Sequence, residues 1–325
     1  MDVSFVIPAR SEQDTLKYTV ANLYETVSRR SFEIIVVDDH SDEPLFKHLD
    51  PSRKVVYLRN SERLGVAKSR NIGAKTSAGD LLVFLDAHVC FAPGWLEAVY
   101  REEELLTNGM LTLATFSIHD FAQFRVLSTE LRAPWPVSLM AARGGFKKVH
   151  YGYFMTPLPA PQTLANFTRK SRAAFTVPIA GSAALCVRRD LFFRLGCFED
   201  ELAGFGGHED AELCMRCWSF GHWVAVIPSI HCFHFRPRRR YEIDYHSKPF
   251  YSEYYEQGVE NALRIFYLHL PDESFQELLD VYKDHPGFTP DMDSVLTSGL
   301  KQRKEFIRDR RIQDYRWLLR RITRV

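Results

Sequence analysis

Along the first ninety positions, apolar residues gather into short runs separated by polar stretches. Residues 3–7 form one run, closed by Pro8 and the polar ARSEQD. FEIIVVDD begins at Phe32 and ends on Asp38 and Asp39, VVYLRN begins at Val55, and LLVFL occupies 81–85. Runs of this length predict buried β-strands. Between them, Leu16, Val20, Leu23 and Val27 recur at helical spacing and predict a helix over 15–28, and 65–76 predicts another. This alternation predicts an α/β fold on a mostly parallel sheet flanked by helices. In such sheets ligands bind outside the carboxyl ends of the strands. Pro8 to Glu12, Asp38 with Asp39, and Asp86 with His88 all stand at such ends, so one sheet edge is expected to carry a site.

Asp86 and His88 admit two readings. Asp86 caps the next helix and His88 is a half-buried polar residue, or the two hold a divalent cation. The chain has no GxGxxG after its first strand and no GxxxxGK[ST], so neither glycine-rich phosphate loop is present. A bound diphosphate would need another source of positive charge, and Mn²⁺ or Mg²⁺ on Asp86 and His88 would supply it.

The pattern loosens over 114–177, where APWP, GGFKK, YGYF and PLPAP suggest long loops over a site, with an acceptor as their ligand. Order returns at Pro178: PIAGSAALCV predicts a strand, and RRDLFFRLGCF a short helix. FGGHEDAELCMRCW then places a glycine turn at Gly206 and Gly207 before a helix that starts on Glu209 and Asp210. By spacing alone that acidic pair reads as ordinary first-turn charge. WVAVIPSIHCFHF adds a strand with His231 and His234. Cys214, Cys217, His231 and His234 loosely imitate a zinc finger, but the cysteines sit within a helical run and the histidine spacing is one residue short. Buried apolar thiols account for them better.

A formal net charge of +1 over 325 residues excludes the strongly basic footprint of a dedicated nucleic-acid binder. No apolar run approaches the roughly 20 residues of a membrane span. MDVSFVIPAR enters a strand at once, without a basic leader, and with six cysteines this leads to the expectation of reduced thiols in a cytoplasm. The tail beginning LKQRKEFIRD holds ten Lys or Arg against three Asp or Glu. It is expected to pack through Ile307, Tyr315, Leu318, Leu319 and Ile322, or to dock a partner, rather than to lie on a membrane.

VSFVIPAR, EIIVVDDHSDE, NSERLGVAKSRNIGAKTSAGDLLVFLDAH and GHEDAELCMRCWSFG together resemble family 2 glycosyltransferases of the GT-A fold, over roughly residues 2–235. DAH in place of DxD, with IHCFHFR, PIAGSAALCV and FGGHEDAEL, is similar to the polypeptide N-acetylgalactosaminyltransferases. The resemblance implies a GT-A domain over 1–238 and a helical C-terminal extension over 239–325. It implies that Pro8, Ala9 and Glu12 border the base and ribose of a UDP-sugar, that Asp39 bonds the uracil, that Arg70 faces the nucleotide and that Gly65 lets the backbone approach it. Asp86, His88 and His234 are the implied ligands of Mn²⁺ or Mg²⁺, with His231 as the fallback, and Arg236 is an implied diphosphate contact whose spacing from His234 is one residue short of the pattern. Glu209 and Asp210 are the implied catalytic pair, with Asp210 as general base. The retaining polypeptide transferases resemble this site with an amide where Asp210 stands, and an amide cannot take a proton, so inversion is expected. The acceptor is expected to be a peptide Ser, Thr or Cys side chain, with a saccharide or small molecule as the alternative. A nucleotidyltransferase of related fold would need a glycine-rich basic loop after the first strand, and ARSEQD is not one. A sugar-nucleotide binder without activity would not need both ED and DAH.

Overall fold

The computed structural model describes residues 1–130, 149–150, 173–202, 208–236, 260–282 and 292–314. The N-terminal half alternates as the hydrophobic pattern predicts: β1 (Val3–Ala9), α1 (Leu16–Thr26), β2 (Phe32–Asp38), β3 (Val56–Arg59), α2 (Val66–Thr76) and β4 (Leu81–Leu85). Then come β5 (Val89–Phe91), α3 (Trp95–Arg101), α4 (Glu103–Asn108), β6 (Gly109–Ile118), α5 (Phe121–Glu130), β7 (Val149–His150), β8 (Phe175–Thr176), β9 (Ala184–Arg188), α6 (Arg189–Arg194), α7 (Glu209–Ser219) and β10 (Trp223–Phe235).

The sheet runs β3-β2-β1-β4-β9-β6-β10-β5, with β7 beside β6 and β8 beside β10. The four strands from β3 to β4 are mutually parallel, as are β6 and β10, while β9 runs antiparallel to both its neighbours and β5 antiparallel to β10. Both faces are covered, which is why the strands read as continuous apolar runs. Alternation still decides the face. Phe5 and Ile7 join Leu16, Val20, Leu23 and Trp95 on one side. Val6, Leu82 and Phe84 join Ala67, Ala74 and Leu213 on the other. A Cβ on Gly73 would fall 2.4 Å from Val6 Cγ1, so α2 reaches β1 closely only because that position has no side chain.

Two predicted segments differ. Residues 114–118 continue β6 rather than opening a loop, and α5 follows. The hydroxyls in β6 obscure its buried character, and the strand satisfies them internally: Thr112 Oγ1 donates to the carbonyls of Gly181 and Ala184, both at 3.1 Å. PIAGSAALCV is a strand only over 184–188. Its first half is drawn off the ladder, because Ala180 N–H donates to Cys214 Sγ at 3.3 Å and Gly181 O is taken by Thr112. The APWP, GGFKK, YGYF and PLPAP loops, the turn at Gly206 and Gly207, the boundary at 238–239, and Tyr315, Leu318, Leu319 and Ile322 lie outside the described residues.

The helices beyond the proposed boundary pack into the sheet's own core. Ala262, Leu263, Ile265 and Phe266, with Phe275 and Leu278 of the helix Asp272–Tyr282, share the apolar cluster of Val6 and Phe84. In the helix Ser298–Arg310, Arg303 Nε donates to Glu199 Oε2 at 2.7 Å and Nη1 to Gly196 O at 2.8 Å. No helix of the described residues is long and apolar enough to cross a membrane.

Candidate active site

β4 ends at Leu85, and the next turn lifts Asp86 and His88 out of the sheet before β5 begins. β10 pairs with β5, setting His234 opposite Val89. The result is a cluster in which one ligand atom from each of Asp86, His88 and His234 lies within 4.8 Å of the others. His234 Nε2 is 3.4 Å from Asp86 Oδ2, and its ring stacks on that of His88 at 4.8 Å and 14°. Asp86 and His88 are about a quarter exposed while His234 is buried, so the group is open on one side. His231, three residues earlier on the strand, lies outside this group. It is held edge-on to Phe116 at 4.6 Å, and burial lowers its pKa to about 4 against a backbone hydrogen bond at Pro228.

Supporting contacts surround the triad. His88 Nδ1 lies 3.3 Å from Glu12 Oε1, and the other oxygen of Glu12 accepts from Thr15 Oγ1. Glu12, expected to border the base and ribose, is buried beside His88, a place from which a carboxylate can fix ring orientation. On the far side, Arg236 Nε donates to His234 Nδ1 at 3.1 Å.

Arg70 joins this group to the acidic pair. It is 1% exposed, with Nη2 on Asp86 Oδ1 at 3.0 Å and Nη1 on Glu209 Oε1. Expected to face the nucleotide, it sits between two carboxylates that are 123 residues apart in the chain. Burial pushes the Glu209 carboxyl up, to about 7, against the pull of Arg70 and with the like charge of Asp210 adding to the rise. Glu209 and Asp210 begin α7 behind His208, whose backbone is left-handed at φ 56°. Asp210 Oδ2 accepts from Ser182, from N at 3.2 Å and from Oγ at 3.3 Å.

At the neighbouring strand ends, Ala9 lies opposite Asp38 in the β1–β2 register and Pro8 opposite Val37. Asp39 N–H donates to Ala9 O at 2.8 Å. Asp39 Oδ1 accepts from Asn60 Nδ2 and Leu64 N, both at 2.8 Å, and Oδ2 from Gly65 N at 2.9 Å. Three of a carboxylate's roughly four lone-pair positions are used, which leaves room for one ligand N–H. Gly65 stands at φ 87°, a left-handed conformation that glycine adopts without penalty, and it opens the helix bearing Arg70. Asp38 is fully buried and belongs to the frame. Burial would raise its pKa, but donors from Ser41, Tyr57 and Leu45 outweigh this and hold it below the ordinary range.

Cys214 and Cys217 lie within α7, away from the triad, and burial pushes both thiols far up. Ser182 and the partnership of Glu12 with His88 have no signature in the sequence. Both depend on contacts across turns whose shape only the fold supplies.

Residues 4–135 match the model of the Glycosyl transferase family 2 family. The chain is 26% identical over 272 residues to Probable N-acetylgalactosaminyltransferase 9 of Caenorhabditis elegans, covering 78% of this chain and 44% of that protein. It is 25% identical over 295 residues to Polypeptide N-acetylgalactosaminyltransferase 5 of Rattus norvegicus, covering 88% and 29%. The chain thus spans less than half the length of these two relatives. Among solved structures, GalNAc-T7 with UDP, GalNAc and Mn²⁺ superposes with a TM-score of 0.72 at 17% identity, over 100% of this chain and 57% of that one. This likeness identifies the GT-A type of fold.

Proposed function

We propose that this chain, which carries a family 2 glycosyltransferase domain over residues 4–135, is a metal-dependent glycosyltransferase. It moves a hexose or N-acetylhexosamine from a UDP-sugar to a peptide Ser, Thr or Cys side chain, with inversion at the anomeric carbon. The observation that carries this reading is the joining of two chemistries through Arg70: the Asp86, His88 and His234 cluster on one side and the Glu209–Asp210 pair on the other. The names of the relatives, polypeptide N-acetylgalactosaminyltransferases, support a peptide acceptor and an N-acetylhexosamine donor. Six free thiols, five of them buried, support a reducing compartment such as the cytoplasm.

The donor set fits a divalent cation. One carboxylate and two imidazoles converge, and mixed ligation of this kind suits Mn²⁺. His234 meets one condition in binding: its Nε2 must be unprotonated, so the contact of Nδ1 with Arg236 Nε must be given up. When bound, the cation offsets negative charge on the diphosphate of the donor. Glu12 orients His88, and Arg70 keeps Asp86 and Glu209 in register. Asp39 offers its remaining lone pair to the N3–H of uracil. Asp210 takes the acceptor's proton as the acceptor oxygen or sulfur bonds to the anomeric carbon. The bond from that carbon to the diphosphate breaks, and its electron pair leaves with UDP.

The test is UDP release from a panel of UDP-hexoses and UDP-N-acetylhexosamines, with and without Ser-, Thr- and Cys-containing peptides. Release should require Mn²⁺ or Mg²⁺, stop in excess chelator and return on adding Mn²⁺. Full activity in excess chelator would contradict the assignment.

A further inference from the structure

We propose that Ser182 is a positioning residue for Asp210, its hydroxyl and backbone N–H together setting the direction in which the carboxylate meets the acceptor. The inference rests on the reading of Asp210 as the base. A serine hydroxyl in a turn usually finds a carbonyl or amide within a few residues of itself. Ser182 instead reaches 28 residues along the chain, and both of its donors converge on the same oxygen, Asp210 Oδ2, at 3.2 and 3.3 Å. Oδ1 is held separately by Ala211 N at 2.8 Å. The plane of the carboxylate is therefore defined from two sides, one on its own helix and one on a different element.

That second element is firmly seated. Trp218 Nε1 donates to the carbonyls of Val177 and Pro178 at 3.2 and 3.1 Å. Ala180 N–H is tied to Cys214 Sγ, and Gly181 O to Thr112 Oγ1. Both α7 and β6 thus hold the turn, and the strand that follows, β9, pairs with β4, the strand that leads to Asp86. Among the described residues the same turn is open in front: a Cβ built on Gly181 meets none of their atoms within 4 Å. Ser182 sits where a rigid support meets space that a substrate can enter.

The hydroxyl is suited to both stages of a proton transfer, because it can donate or accept. It donates to Asp210 while the carboxylate is ionised. Once Asp210 has taken the acceptor's proton, the hydroxyl can rotate to accept from the neutral acid, and no atom leaves Ser182. Its 3.3 Å contact is long for an O–H···O bond, as catalytic hydrogen bonds often are before substrate is seated.

The experiment compares Ser182→Ala, Ser182→Thr, Asp210→Asn and the double variant Ser182→Ala with Asp210→Asn. The readouts are binding of UDP with Mn²⁺ by calorimetry, and kcat and KM for UDP release. The donor is the UDP-sugar the wild type turns over fastest with water as acceptor. Ser182→Ala should lower kcat by about tenfold, the scale of one hydrogen bond to a charged group. KM and the affinity for UDP should stay near wild type, which also reports an intact fold. Ser182→Thr, which keeps the hydroxyl, should restore most of the rate, and Ser182→Ala should cost nothing further in the Asp210→Asn background. A wild-type kcat in Ser182→Ala, or the same loss with and without Asp210, would overturn the proposal. The two readings fail separately: inactive Asp210→Asn with normal Ser182→Ala removes only the role of Ser182, whereas normal Asp210→Asn removes the base itself.

Discussion

Two consecutive turns of α7 bury a carboxylate each, and the two are pushed in opposite directions. Burial alone would raise both. Glu209, in the first turn, does rise, to about 7. Glu212, fully buried three residues later, falls to about 2, because Arg216 and then His269 outweigh the loss of water. Their partners explain the difference. Arg216 Nε and Nη2 grip both oxygens of Glu212, His269 Nε2 lies 3.1 Å from Oε1, and Arg216 Nη1 closes on Leu195 O at 2.7 Å. Glu209 has one guanidinium, shared with Asp86, and a second carboxylate beside it. A closed network of this kind fixes a helix, whereas an open one leaves charge available for chemistry. The helix that presents the acidic pair is thereby anchored by the segment 260–269, through His269.

The largest effect should come from breaking the open end. Asp210→Asn is expected to lower turnover by on the order of 10² to 10⁴, the usual contribution of a positioned base. Binding of Mn²⁺ and UDP by calorimetry should change little. Next comes the closed end. Glu212→Gln leaves Arg216 buried without its counter-charge, and breaking a buried pair costs about 3–5 kcal/mol. Denaturant melts should show that loss, while the molecules that remain folded still bind UDP.

The same two carboxylates should give stability opposite dependences on pH. Glu212 is depressed from 4.5 to about 2, so its contribution is complete above pH 4.5 and is lost as pH falls toward 2. Glu209 is raised from 4.5 to about 7, so its contribution is present at low pH and declines as pH rises through that window. Glu209→Gln should flatten the upper window and Glu212→Gln the acid limb, read from urea midpoints across the range. A smaller effect is expected outside the helix. Glu12→Gln should weaken Mn²⁺ binding by about tenfold, at the low end for a carboxylate behind a metal-binding histidine, and unaltered Mn²⁺ affinity would exclude that role.

The contrast within α7 also marks where the sequence is readable. β1, β2, β4 and α2 follow from apolar runs and spacing, and their carboxyl ends place Asp86 and His88 at the sheet edge. The strand β10 carries His231 and His234 at an interval of three, so they face opposite sides of the sheet. Spacing states that only one can join Asp86, and the pairing of β10 with β5 determines which. The role of Glu212 is hidden for another reason. Its i,i+4 spacing to Arg216 resembles an ordinary exposed helix pair, and only the packing of 260–269 over it removes the water. The pairing of Arg70 with Glu209 is hidden likewise, because only the fold brings α7 against KSRN. Contacts between distant segments, rather than periodicity, set these roles.

The proposed role of Asp210 is to activate the acceptor for a single in-line displacement at a metal-dependent site. The most direct measurement is the anomeric configuration of the product formed from a UDP-α-sugar, read by proton NMR as it appears. One displacement inverts the centre, so a β-linked product is expected. An α-linked product would contradict it.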